Sequence, residues 1–422
     1  MAKFIITPQP KLEGVIEVSG AKNAAIILIA GSLLMSGETI LENVPDILDI
    51  QKIISILEKL GVKFLRTGDI LKIDTRNLKP QNPDPLLVGE IRASIVLVGP
   101  LLARFGKLKI PHPGGCLIGP RPIDEHLRAF CSLGVKIKEE NGFYEFTYQP
   151  SLSQNSTSKN FRFKKISVTA TENILLFAAI QKNQVVFIEN AAIEPEVIDL
   201  IEFLKMAGGR ISVQGRLIKI FPQKTLKPVT YRVIPDRIEA GTFAIMAAAF
   251  KCELKILNVR PKHLVSLLEK FQEMGIEFVK GKDFLYIKKP QEIRAINIAT
   301  APYPGFPTDL QPPMGVLLTQ AQGLSHIREN IFENRLGYLK ELEKMGAQVK
   351  FYSSCEAEIT GPTELSGAKI ESLDLRAGAT LLIAGLIAKT PTEINHAENI
   401  DRGYERIEEK LSKIGAKIKR IQ

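Results

Sequence analysis

Six segments of this 422-residue chain put polar side chains where an apolar run begins. They are Lys22-Asn23, Arg92, Thr169 with Thr171-Glu172, Asp236-Arg237-Ile238-Glu239, Thr308-Asp309, and Asp374-Leu375-Arg376. A helix N-terminus presents unpaired N–H groups and a partial positive charge, so it is a ready place for an anion. Asp236, Asp309, Asp374 and Thr169 also suit N-capping by residue type. Capping does not account for Lys22, Arg92 and Arg376, because a cation at a helix start opposes the dipole and needs an anionic partner. Two more arginines, in Phe332-Glu333-Asn334-Arg335 and Ile400-Asp401-Arg402-Gly403-Tyr404-Glu405-Arg406, stand where amphipathic helices begin. Surface ion pairing is the simpler alternative for each. The run Pro113-Gly114-Gly115-Cys116-Leu117-Ile118-Gly119-Pro120-Arg121-Pro122 reads as an inserted loop with a thiol beside an arginine, and a nearby cation favours the thiolate. Cys131, Cys252 and Cys355 fall in helical or strand patterns, where packing is the expected role. This set could hold several anionic groups and move a proton with a carboxylate or a thiol. There is no Walker A or GxGxxG match and no His/Cys metal motif.

The elements that must position these residues repeat. Gly61, Gly134, Gly208, Gly275, Gly346 and Gly415 each follow a helix-like run and precede a short apolar strand, at intervals of 67 to 74 residues. One structural unit of that length is used six times. Each repeat starts with a run that is apolar nearly all round, such as Ala24–Met35 or Ala377–Ala388, which must be buried on all sides. A short strand follows, then an amphipathic helix closed by the glycine. In the first repeat Ile50, Ile53, Ile54, Leu57 and Leu60 mark its apolar face. A two-stranded segment then turns at Thr67-Gly68-Asp69 or Glu140-Asn141-Gly142. The sixth repeat stops at Gln422 after one strand, and Lys3–Thr7 with Gly14–Val18 are expected to complete it from the other end of the chain. Two domains of three repeats result: 21–234, which carries the Cys116 loop, and 1–20 joined to 235–422. Ser151–Asn160 reads as a loop within the first.

Bulk composition is that of an ordinary globular protein, 45% hydrophobic and 24% charged, long enough for two or three cores. The net charge of +10 fits either a lysine-rich surface or a site for anionic ligands. Four cysteines without CxxC spacing suggest neither a disulfide framework nor zinc and favour a reducing compartment. The first residues lack the apolar stretch of a signal peptide, and no apolar run approaches the roughly 20 residues of a bilayer span. A cytoplasmic protein is expected.

At these residues the chain resembles the enolpyruvyl transferases. It is most similar to the UDP-N-acetylglucosamine 1-carboxyvinyltransferase (MurA) family of peptidoglycan synthesis. The resemblance runs over nearly the whole chain. It rests on Ser19-Gly20-Ala21-Lys22-Asn23-Ala24, Arg92-Ala93-Ser94, the Pro-Gly-Gly-Cys loop, Glu189-Asn190-Ala191-Ala192 with Glu194-Pro195-Glu196, Pro235-Asp236-Arg237-Ile238-Glu239, Phe306-Pro307-Thr308-Asp309 and the two arginine motifs. It implies an α/β fold of six βαβαββ-type repeats, three per domain (an inside-out α/β barrel), with the active site in the interdomain cleft. It implies transfer of the enolpyruvyl group of phosphoenolpyruvate to the 3-hydroxyl of UDP-N-acetylglucosamine with release of phosphate, and neither metal nor cofactor.

Carried over by motif, Lys22, Arg121 and Arg402 would hold the phosphate of phosphoenolpyruvate, and Arg335 and Arg376 its carboxylate. Asp309 would be the base for the sugar hydroxyl. Cys116 would protonate the methylene carbon, could hold a phospholactoyl adduct, and would be the target of fosfomycin. Asn23, Arg92, Arg121, Pro122, Ile123, Asp124, Glu125, Lys165, Ser167, Val168, Thr169, Asp309 and Ile331 would contact the UDP-sugar. The chain departs from the family pattern at Thr169, where Gly is common, at Asn399, where some members have His, and at Leu117 and Pro120 in the cysteine loop. Transfer to another hydroxyl, as in the shikimate-type relatives, is disfavoured by that loop. A catalytically silent paralogue is disfavoured by the presence of Lys22, Cys116, Asp309 and Arg402. RNA-end chemistry, which shares a related repeat, would need a nucleotide-attachment histidine, and no histidine lies in such a motif. No nucleic-acid or membrane partner is expected.

Overall fold

The computed structural model describes residues 2–114, 122–148, 158–181 and 184–422. They divide into two domains, one of residues 20–114 and 122–234, the other of residues 2–19 and 235–422. Each domain has its own apolar core.

The apolar runs form helices buried on nearly every side. In the first domain these are Lys22–Ser32, Val98–Phe105 and Val168–Ala178; in the second, Arg237–Phe250, Gln311–Thr319 and Leu375–Ile387. In the second domain the three pack against one another. The second helix of each repeat is amphipathic, as in Leu48–Lys59 and Val265–Met274. All six glycines of the repeat have positive φ, between +80° and +102°, a conformation that Gly adopts without a Cβ penalty. No helix among the described residues is long and apolar enough to cross a membrane.

In five repeats the sheet has four strands: one parallel pair, then two antiparallel partners. In the third repeat Ser158–Arg162 runs parallel to Val185–Glu189, and the buried helix Val168–Ala178 is the crossover between them. The fifth and sixth repeats follow suit. The second repeat has three strands among the described residues. An asparagine in the left-handed conformation ends the central strand of three repeats. Asn43, Asn190 and Asn258 donate Nδ2–H to the carbonyls of Val233, Phe163 and Val18, just beyond the parallel neighbour.

Two expectations change. Lys3–Thr7 completes the sixth sheet, pairing with Thr392–Asn395 and Lys417–Ile421. Gly14–Glu17 does not; it lies parallel to Leu254–Leu257 in the fourth. The sixth sheet already has its parallel edge strand, Lys369–Glu371, whereas the fourth lacks one because the chain reaches it from the other domain. Thr230–Arg232 does the reciprocal service, pairing with Glu38–Glu42 in the first sheet. Each domain thus takes as an edge strand the segment that leads the chain into the other. Secondly, Ser158–Asn160 is strand rather than loop. It is polar because an edge strand keeps much of its surface wet.

Candidate active site

The start of the first buried helix carries Lys22 with no side-chain cap before it. The lysine is 8% exposed, and its Nζ lies 2.6 Å from Oδ2 of the buried Asp49, in the first turn of Leu48–Lys59. The anionic partner demanded by a cation at a helix start is therefore a carboxylate of the same domain. Asn23 beside it is exposed. Arg92 opens the 3-10 turn Arg92–Leu97 and donates to the carbonyl of Pro113 at 3.4 Å, tying this helix start to the strand end before residue 115. Cys116 and Arg121 lie outside the described residues.

Further along this domain, Pro122 and Asp124 are exposed, Ile123 is buried and Glu125 is half-buried at the head of helix Asp124–Ser132. This helix is joined to the segment 164–169. Glu125 accepts from the Lys164 N–H at 3.1 Å, and Nε2 of the buried His126 lies 3.0 Å from Thr169 Oγ1. His126 Nδ1 in turn meets Asn173 Nδ2 at 3.0 Å. Burial, with the charge of Arg92, pushes the His126 pKa down to about 3, so the ring is neutral. Lys165 is exposed, and Ser167, Val168 and Thr169 are half-buried. Ser167, not Thr169, is the N-cap of Val168–Ala178, accepting from the Ala170 N–H; Thr169 already lies inside the first turn. Glu172, deeper in that helix, has its pKa raised well above the usual carboxylate value by burial and by Glu196 and Glu194.

In the second domain three predicted residues meet. Arg335 Nη2 lies 2.8 Å from Asp309 Oδ1, and Arg376 places Nη2 at 3.2 Å from Asp309 Oδ2. Neither arginine is a surface residue: they are 5% and 2% exposed. Asp236 and Asp374 cap their helices, accepting from Ile238 and Glu239 and from Arg376 and Ala377. Asp309 stands differently. It is the middle residue of the 3-10 turn Thr308–Leu310, which follows Pro307, and its carboxylate is turned to the two guanidiniums. Arg376 also lies over the ring of Tyr404, 5.2 Å from its centroid. Among the described residues, the buried Arg335 Nε and Arg376 Nη1 find no hydrogen-bond partner. Arg402 ends the 3-10 turn Ala397–Arg402 and is half-buried.

Sequence reasoning missed the residue that frames this cluster. Glu329 is 2% exposed and accepts from the hydroxyls of Thr300 and Thr308 and from the N–H groups of Ile331 and Phe332. It fixes the loop that carries the exposed Ile331 and leads to Arg335, and it ties that loop to the neighbour of Asp309. A second missed cluster surrounds Ser19. Lys410 Nζ bonds to Ser19 Oγ and to the buried Glu239, whose other oxygen accepts from the Ser19 N–H at 2.7 Å. No group of three or more His, Cys, Asp and Glu among the described residues could hold a metal ion.

Cys131 is exposed and Cys355 lies in the turn between Gln348–Ser353 and Glu356–Gly361, so packing is the role of Cys252 alone among these three. Burial pushes the Cys252 thiol up to about 12 and also raises that of Cys131.

The sequence model of the family described as EPSP synthase (3-phosphoshikimate 1-carboxyvinyltransferase) matches residues 6–411. The chain belongs to the EPSP synthase family. Relatives in this family match from end to end. The chain is 43% identical to UDP-N-acetylglucosamine 1-carboxyvinyltransferase 2 of Carboxydothermus hydrogenoformans and 42% identical to UDP-N-acetylglucosamine 1-carboxyvinyltransferase of Geobacter metallireducens, over 100% of both chains in each case. Among solved structures, the enolpyruvyl transferase NikO from Streptomyces tendae superposes with a TM-score of 0.87 at 22% identity, covering 99% of this chain and 98% of that one. The two-domain enolpyruvyl transferase fold is thus present.

Proposed function

We propose that the protein transfers the enolpyruvyl group of phosphoenolpyruvate to the 3-hydroxyl of UDP-N-acetylglucosamine, releasing phosphate for peptidoglycan synthesis. The observation that carries this is the Asp309–Arg335–Arg376 cluster in a chain with full-length relatives of that activity. Asp309 takes the proton of the sugar hydroxyl as its oxygen bonds to C2 of phosphoenolpyruvate, while Cys116 delivers a proton to the methylene carbon. Loss of a proton from the new methyl group then re-forms the double bond as phosphate leaves. Such a carbon is protonated only by a well-placed acid, and the charge on C2 develops beside groups whose positions must already be fixed.

Arg335 and Arg376 hold the carboxylate of phosphoenolpyruvate. Two guanidiniums share one protein carboxylate, and the uncommitted Arg335 Nε and Arg376 Nη1 offer donors to a second. Lys22, Arg121 and Arg402 take its phosphate. Asn23, Arg92, residues 121–125, Lys165, Ser167, Val168, Thr169, Asp309 and Ile331 receive the UDP-sugar. We infer a cytoplasmic enzyme, in keeping with cysteines that lack disulfide spacing.

Phosphate release from phosphoenolpyruvate tests the proposal. It is expected with UDP-N-acetylglucosamine and not with shikimate 3-phosphate; the reverse preference would overturn it. Fosfomycin, a small anionic epoxide, should alkylate Cys116 first. Peptide mapping that found Cys131, Cys252 or Cys355 labelled instead would remove Cys116 from its role.

A further inference from the structure

The turns that carry Asp309 and Arg335 each run straight into a helix. Gln311–Thr319 follows the 3-10 turn Thr308–Leu310, and Tyr338–Lys344 follows the 3-10 turn Arg335–Gly337. The first residues of these two helices meet. Gln311 Nε2 donates to Tyr338 Oη at 2.6 Å, and the hydroxyl lies 3.5 Å from the Gln311 carbonyl oxygen. A carbonyl can only accept, so the hydroxyl gives it a hydrogen and receives the amide N–H. Burial raises the Tyr338 pKa, so the phenol keeps that hydrogen. Glu329 joins Thr308 to Ile331 and Phe332, ahead of Asp309 and Arg335 in the chain. The Gln311–Tyr338 bond joins the same two segments behind them. Asp309 and Arg335 thus stand between two ties, 2.8 Å from each other.

Stability alone does not explain this bond. Gln311 and Tyr338 are 0% and 1% exposed, and among the described residues Gln311 Oε1 finds no hydrogen-bond partner. A buried acceptor left unmade costs at least as much as the bond beside it contributes. The bond also needs a glycine inside a helix, where glycine is unfavourable. A Cβ at position 315 would lie 2.2 Å from Tyr338 Oη, so only glycine there lets the phenol reach Gln311.

We propose that Gln311 and Tyr338 are positioning residues, which hold the Asp309 carboxylate and the Arg335 guanidinium at the spacing that lets Asp309 take the sugar proton. The proposal rests on the functional assignment above and adds two residues to it. Both act through the turns that they anchor. A base must lie within hydrogen-bond reach of the proton it takes, so a small displacement of Asp309 lowers the rate more than it weakens sugar binding.

The test is steady-state kinetics and thermal melting of Tyr338→Phe and of the double variant Tyr338→Phe/Gln311→Met, assayed well below their melting temperatures. Tyr338→Phe keeps the ring but strands the buried Gln311 N–H, so it should melt below wild type. The double variant replaces both partners by apolar groups of similar shape and should melt close to wild type. Its kcat should nevertheless stay about tenfold below wild type, with the KM for UDP-N-acetylglucosamine within about twofold. A kcat that recovers together with the melting temperature would make the bond purely structural and overturn the proposal. A second measurement holds whatever the melting temperatures: Tyr338→Phe added to Asp309→Asn should slow that variant no further, because its effect passes through Asp309. A further loss of about tenfold there would also overturn the proposal. Wild-type kcat in Tyr338→Phe, with a wild type that turns over UDP-N-acetylglucosamine normally, sinks this inference alone. A wild type that releases no phosphate from phosphoenolpyruvate with that sugar removes the functional assignment and the inference with it.

Discussion

Lys22 and Asp309 stand at corresponding places in the two domains, at the start of a buried helix, and are neutralised in opposite ways. Lys22 faces one buried carboxylate at 2.6 Å, and the pair is nearly closed to water, with side chains 10% and 3% exposed. Asp309 faces two guanidiniums, 3% and 2% exposed, and is itself 26% exposed. Among the described residues, two buried N–H groups of the second cluster, Arg335 Nε and Arg376 Nη1, have no acceptor. Buried donors are costly without partners, so on the proposed assignment the carboxylate of phosphoenolpyruvate would complete these two. On the proposed assignment, the Lys22–Asp49 pair would hold Lys22 in place for the phosphate of phosphoenolpyruvate.

Two substitutions sharpen that contrast. On the proposed assignment, Lys22→Met and Arg376→Met should both lower kcat/KM for phosphoenolpyruvate by roughly a hundredfold or more, since each would remove a fixed cation from beside the transition state. Their stabilities should diverge. Removing one partner of a buried ion pair typically costs about 3–5 kcal/mol, so Lys22→Met should melt well below wild type. Arg376→Met leaves Arg335 on Asp309 and should melt closer to it. Equal melting temperatures would break the distinction between the clusters.

Glu329→Gln is a smaller perturbation of the Asp309 cluster. The amide retains one acceptor oxygen but turns a donor towards Thr308. About 1 kcal/mol of stability should be lost, with a few-fold fall in kcat as the Thr308–Asp309 turn loosens. Thermal melting and initial rates check it; unchanged kinetics would mean that the Glu329 frame is not needed to place Asp309.

The first domain should also show a pH dependence from His126. Its folded pKa is about 3 against an ordinary 6.5, so between these values the unfolded chain binds a proton that the folded chain does not. Stability is therefore full above pH 6.5 and falls as pH drops towards 3, by up to about 1.4 kcal/mol per unit. Urea midpoints at pH 7 and pH 5 should differ less in His126→Gln than in wild type. The same difference in both would contradict the buried neutral ring.

Much of the frame was readable in the residues. The six glycines end helices because each needs positive φ, and local sequence encodes that. The buried helices announce themselves by being apolar all round. What escaped depends on partners far away in the chain. Nothing local in Gly14–Glu17 says that it pairs with Leu254–Leu257, 240 residues on. Residue type suggested Asp309 and Thr169 as caps, but a pair of arginines holds one, and Ser167 takes the place of the other. Glu329 and His126 had no motif to flag them, since a buried carboxylate or imidazole acquires meaning only from the groups that fold around it.

On the proposed assignment Asp309 is where fold and chemistry join, and Asp309→Asn has two expected consequences. Loss of a charge between two buried guanidiniums should lower the melting temperature, unlike the replacement of a simple cap, at which Asn serves about as well as Asp. Activity must therefore be read on folded protein saturated with UDP-N-acetylglucosamine. Phosphorus NMR of phosphoenolpyruvate incubated with that complex is the direct measurement. Wild type should convert the phosphoenolpyruvate signal to inorganic phosphate as an enolpyruvyl UDP-sugar forms. Folded, sugar-bound Asp309→Asn should be slower by at least about a hundredfold. Conversion by the variant at close to the wild-type rate would contradict the account, because the proton of the sugar hydroxyl would then have another acceptor.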